Sequence, residues 1–176
     1  MFSYLEEINE WSILSFNTAL IDASQYFFMI KKILFEHCLD YLNNRLASFE
    51  KRKLDLLKAL ESESKSSAGD KHETGRAMLQ LEREKLGEQL KGTEQNLTLL
   101  LSLENLLSTK TVSLGAVVKT SNLNYYIAIA VPAFEKNNTA YYCISAQSPI
   151  GKLLLEKKVG EKITFNNVTS TITEIL

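Results

Sequence analysis

Apolar and polar residues alternate in two rhythms, and the change of rhythm divides the chain. From Ile30 to about Leu107 the spacing is helical and free of proline. Phe35, Leu39, Leu42, Leu46, Phe49, Lys53, Leu56 and Leu60 recur in steps of four and three. This is a heptad seam with one polar intrusion, Lys53. A second seam runs through Leu79, Arg83, Leu86, Leu90, Thr93, Leu97, Leu100, Glu104 and Leu107. Between them Ser64-Lys65-Ser66-Ser67-Ala68-Gly69-Asp70 is a cluster of helix breakers. Folded back there, Leu60 meets Leu79, Leu56 meets Arg83, Lys53 meets Leu86, Phe49 meets Leu90 and Leu39 meets Leu100. All these pairs share one register centred between Gly69 and Asp70, so the pattern predicts an antiparallel hairpin with arms ~50 Å long. The polar seam residues Lys53 and Arg83 fall on opposite helices in its tip half.

Beyond Leu107 the period becomes two. Strands are predicted at 112–119, 125–131, 141–145, 162–165 and 168–175, with a turn at Asn137-Asn138. Ser148 as N-cap and Pro149 as first helical residue predict a short helix over 149–157. The fold class is thus α+β: a long antiparallel helical hairpin (coiled coil) over 29–107, then a small antiparallel β domain with one short helix over 111–176.

Residues 1–28 differ from the rest. They hold no Lys or Arg, carry Glu6, Glu7, Glu10 and Asp22, and are rich in aromatic residues. An acidic start argues against a secretory signal. The segment reads either as a short helix packed on the hairpin base or as an extra, non-native stretch before a start at Met29, and it is taken as functionally silent.

Composition narrows the function. The formal net charge is -1, without the basic excess of proteins that grip nucleic-acid backbone, so independent DNA binding is not expected. Cys38 and Cys143 lack CxxC spacing, which suggests neither a zinc cluster nor a disulfide framework and fits a reducing cytoplasm. No apolar run reaches the ~18 residues of a membrane span. A stand-alone thiol enzyme finds no base and orienting group beside His37-Cys38 or Cys143. His37 reads as seam-flanking or surface, and Cys38 as a small apolar residue. A lipid-condensing enzyme would need a far larger scaffold. A purely structural adaptor explains the rod but leaves Ser148-Pro149-Ile150-Gly151-Lys152 without a reason.

The tip, residues 66–74, carries the candidate chemistry. Asp70 and Glu73 stand three residues apart at the start of the second helix. They can act as N-cap and capping-box partner. Equally, exposed carboxylates at the end of a rod can complete a magnesium site on another molecule, since magnesium often takes only one or two protein carboxylates.

A more specific signal lies further on. Ile144-Ser145-Ala146-Gln147-Ser148-Pro149-Ile150-Gly151-Lys152-Leu153-Leu154, then Lys157-Lys158-Val159-Gly160-Glu161, resembles the C-terminal signature of GreA/GreB transcription elongation factors. Gly69-Asp70 and Glu73 match that family's tip at its glycine and both acids. The resemblance spans about residues 30–176. It implies an FKBP-like second domain docked on RNA polymerase and a coiled coil inserted through the polymerase secondary channel. It also implies stimulated hydrolytic cleavage of backtracked RNA, with Asp70 and Glu73 helping to hold Mg2+ at the polymerase's own active centre. Gln147, Ser148, Pro149 and Ile150 then fall in the polymerase-binding loop. On this reading the chain is a cytoplasmic, monomeric accessory factor rather than an enzyme, and it meets the RNA 3' end only within the polymerase complex. The departures are Lys71 in place of the family's leucine and Thr74-Gly75-Arg76-Ala77 in place of Asn-Ala-Glu-Tyr. They raise the alternative of a non-cleaving regulator or inhibitor in the same channel.

Overall fold

The computed structural model describes the backbone of residues 3–65, 70–104, 109–136 and 138–176. Side chains are described for residues 25, 28–62, 74–104, 109–136 and 138–176. Helix α1 runs Ser3–Lys65 and α2 runs Asp70–Ser102. The breaker cluster therefore separates them as the sequence predicts, with Gly69 outside the described residues. Helix α1 does not begin near Ile30; residues 3–28 continue it without a break instead of forming a separate short helix.

The two helices pack as the hairpin that the seams predict. In the distal half, Phe49, Leu56 and Leu86 are buried with Leu79 and Leu90 against them. Towards the base, Leu39, Leu42, Leu97 and Leu100 pack in one cluster. An ion pair spans the hairpin outside the seam: the Arg52 guanidinium reaches Glu82 Oε1 through both Nη2 (2.6 Å) and Nε (3.2 Å). Both side chains are about half exposed, so the pair contributes a few tenths of a kcal/mol at most and serves mainly to mark register.

Six strands follow: β1 Val117–Thr120, β2 Asn124–Ala128, β3 Phe134–Lys136, β4 Thr139–Ser145, β5 Lys162–Phe165 and β6 Val168–Ile175. Helix α3, Pro149–Leu154, lies between β4 and β5. The sheet order is β3-β4-β2-β1-β6-β5. Neighbours are antiparallel except β2 and β4, which run parallel from Asn124↔Tyr141 to Ala128↔Ser145. Sequence periodicity missed β3, because three residues are too few to show a period, and with it the reversal that makes β2 and β4 parallel. The β5–β6 turn is formed by Asn166 and Asn167, both left-handed (φ 50° and 63°), as a two-residue hairpin requires. Asn138 in the β3–β4 turn is likewise left-handed (φ 59°), while Asn137 lies outside the described residues.

The central strands are covered on both faces. Val118, Tyr125 and Ile127 face a core with Ile150, Leu154, Ile163 and Ile172. Val117, Tyr126, Ala128 and Cys143 pack on the hairpin base, against Leu34, Cys38, Leu42, Leu100 and Leu103. Leu34, Cys38 and Leu100 are fully buried there. At about 1.5–3 kcal/mol per buried large apolar side chain, this junction holds rod and sheet together firmly.

Candidate functional site

The sequence-predicted site residues lie in two separate parts of the molecule, the turn of the hairpin and the β domain. Asp70 opens α2 and Glu73 stands within its first turn, both with side chains outside the described residues. The loop with Gln147, Ser148 and Pro149 lies on the β domain. Helix α2 has 33 residues, so about 50 Å of rod separates the tip from the base. The structure does not bring the two groups together.

Local chemistry explains the loop. Strand β4 ends at Ser145, whose Oγ accepts from the Gln147 amide (3.1 Å). The Ser148 hydroxyl donates back to the Ser145 carbonyl (2.6 Å) and accepts from the Gly151 amide (3.1 Å), so one side chain both closes the turn and caps α3. Pro149 follows as the first helical residue, where its missing N–H goes unmissed. Gly151 is required by space. A Cβ there would stand 2.3 Å from the Ser145 carbonyl oxygen and 2.9 Å from Ser148 Oγ. Ile150 is buried against the sheet. Its side chain is therefore withdrawn from any contact surface, and Gln147 and Pro149 are the exposed residues of the loop.

The second half of the signature is also scaffolding. Gly160 is left-handed (φ 89°), and its amide donates to the Ile172 carbonyl (2.8 Å). The Glu161 carboxylate accepts from Lys157 Nζ (2.8 Å) and from the Lys158 amide (2.7 Å). The Lys157 hydrogen bond, then that from the Lys158 amide, holds this carboxyl below the usual glutamate range.

The junction was not legible in advance as a site. His37 donates from Nε2 to the Pro132 carbonyl (2.9 Å), which requires the proton on that nitrogen, and its ring lies 5.3 Å from that of Phe134. Cys38 on α1 and Cys143 on β4 are free, buried thiols of the same cluster. The hydrogen bond between them, with burial added, pushes the Cys38 thiol up, and burial does the same to the Tyr126 phenol. A buried thiol raised in this way, as Cys38 is, is structural rather than nucleophilic. One signal was available: Ile30, Leu34 and Cys38 recur every four residues beside the seam and lead into its Leu42, widening the apolar face of α1 where it must cover a sheet as well as α2.

Among the described residues no group of three or more His, Cys, Asp or Glu side chains is placed to hold a metal ion. Nor is any helix among them long and apolar enough to cross a membrane.

A two-helix rod seated on a six-stranded domain defines an α+β protein of rod and platform. Residues 107–176 match the model of the transcription elongation factor GreA/GreB C-terminal domain, so this part of the chain is similar to that family. No curated protein matches the chain. That match of the β domain supports a role in transcription elongation.

Proposed function

We propose that this protein binds RNA polymerase, passes its hairpin through the secondary channel and stimulates cleavage of backtracked RNA with the acids of its tip. The observation that carries the reading is the junction. A buried core fixes the rod to a GreA/GreB domain, so whatever the β domain docks on, the tip reaches a set depth beyond it. Gln147 and Pro149, exposed on a loop held by Ser145, Ser148 and Gly151, supply the polymerase contact, and Ile150 anchors that loop from within.

The donors at the tip are two carboxylates. That number suits Mg2+ shared with other groups and is too few to retain the ion alone. Asp70 and Glu73 would hold Mg2+ together with the polymerase's own groups. When bound, the ion supplies an activated water and neutralises developing charge. The protein acts as a monomer in the cytoplasm and meets RNA only inside the polymerase.

A second reading is favoured by the tip sequence. Lys71 and Arg76 add positive charge where the family's pattern carries a leucine and an acid, and Ala77 replaces its tyrosine. Such a tip fits a regulator that occupies the channel without stimulating cleavage. The deciding experiment uses a stalled, backtracked polymerase from the same source, with wild-type protein and the Asp70→Ala/Glu73→Ala variant. Faster cleavage with wild type, lost in a variant that still binds, supports the first reading. Binding by both without acceleration supports the second. Failure of both to bind refutes the two together.

A further inference from the structure

The rod has a defect in its seam, and three residues make it. Lys53 and Arg83 occupy seam positions where an apolar side chain would close the space between the helices. Gly87, beside the seam on α2, has no side chain to cover it, and a Cβ built there meets nothing within 4 Å. Where they coincide the hairpin opens into a cleft of about 180 Å³. Phe49, Leu56, Leu86 and Leu90 form its apolar wall, and Leu57 lies at its edge, 40% exposed. The two charged residues lining it, Lys53 and Arg83, are both cationic. Lys53 also lies 3.3 Å from Glu50 on its own helix, in a pair about half exposed.

A glycine within an exposed helix weakens it, and a lysine and an arginine in a heptad seam weaken the pairing. Three such features at one level of the rod leave it open where continuous packing would have closed it. We infer that this cleft is a docking site for the polymerase: it receives one apolar side chain of the channel wall, carried beside a carboxylate that meets Lys53 and Arg83. The inference rests on the channel-binding function proposed above. The size favours a side chain, because small-molecule sites are usually larger, about 300–1,000 Å³. The charge selects an acidic neighbour. An apolar anchor in a desolvated pocket with charges at its rim is the arrangement in which single residues dominate binding.

The test measures binding of the full chain to purified core RNA polymerase of the same source, alongside thermal unfolding and sedimentation. Gly87→Leu fills the cleft without touching the charges, and Lys53→Gln/Arg83→Gln removes the charges without filling it. The expected result is that Gly87→Leu unfolds no earlier than wild type yet binds roughly tenfold more weakly. The glutamine pair also weakens binding and flattens its salt dependence. Wild-type affinity in Gly87→Leu overturns the assignment. If that variant unfolds early, the glutamine pair decides, and unchanged affinity and salt dependence there overturn it equally. A wild-type dimer that Gly87→Leu converts to monomer would make the occupant a second copy and refute the polymerase assignment. Absence of binding by wild type itself overturns the channel reading and this inference with it, an outcome distinct from a loss confined to the variants.

Discussion

The same one-methyl substitution should have opposite effects at two glycines. At Gly151 a Cβ would lie 2.3 Å from the Ser145 carbonyl oxygen, 2.9 Å from Ser148 Oγ and 3.1 Å from the carbonyl carbon of Ala146. Two of these neighbours are backbone atoms at the end of β4 and cannot rotate away. Relief requires α3 to lift from the sheet. That overpacking costs about 1–3 kcal/mol. It also strains the Ser148 cap, which is worth ~1 kcal/mol. Alanine's better helix propensity returns ~1 kcal/mol, leaving a net loss of roughly 2 kcal/mol. At Gly87 the added methyl meets nothing within 4 Å, so only propensity acts and Gly87→Ala should gain ~1 kcal/mol. Urea unfolding followed by circular dichroism measures both. Gly151→Ala should lower the midpoint and Gly87→Ala raise it, with slopes unchanged. A neutral or stabilised Gly151→Ala would refute the steric account of the Ser-Pro-Ile-Gly motif. A destabilised Gly87→Ala would show that the helix surface there is not free.

Two further outcomes are expected. Leu34→Ala empties a fully buried position of the junction and should cost ~2–5 kcal/mol. Because Leu34 links rod to sheet, helix loss (far-ultraviolet dichroism) and sheet loss (near-ultraviolet tyrosine signal) should separate into two transitions. Glu161→Gln tests the Lys157–Glu161 loop. The folded carboxyl titrates below its ordinary 4.5, so its stabilisation is present above that pH and fades as pH falls through the lower folded value. The melting temperatures of wild type and Glu161→Gln should therefore differ most near neutrality and converge in acid.

The hairpin was readable because a heptad repeat is a long signal and the two seams had to share one register. Strands β5 and β6 were readable to the residue, since β-branched and aromatic residues alternate between unambiguous turns. Strand β1 was over-extended, from 112 instead of Val117, because Val112 and Ala116 are apolar for another reason: they fill the core under α3. The junction was hidden by overlap. Leu42 and Leu100 serve both the seam and the sheet, and periodicity shows only the first use. His37, read as flanking the seam or at the surface, makes a hydrogen bond that spans 95 residues of sequence. No local pattern could announce that bond. For the loop, the capping role of Ser148 followed from residue type. The need for Gly151, in contrast, appears only once the end of β4 is placed against α3.

Because both seams keep one register, the reach of the rod can change only in whole steps. Seven residues added to each arm would restore every facing pair and move the tip outward by about 10 Å. Any other addition would turn apolar positions to solvent or set Leu60 against the wrong partner. The hairpin is therefore a ruler graduated in heptads. Its zero mark is pinned where Leu34 and Leu100 enter the sheet's core, so the tip's depth is written in the number of repeats.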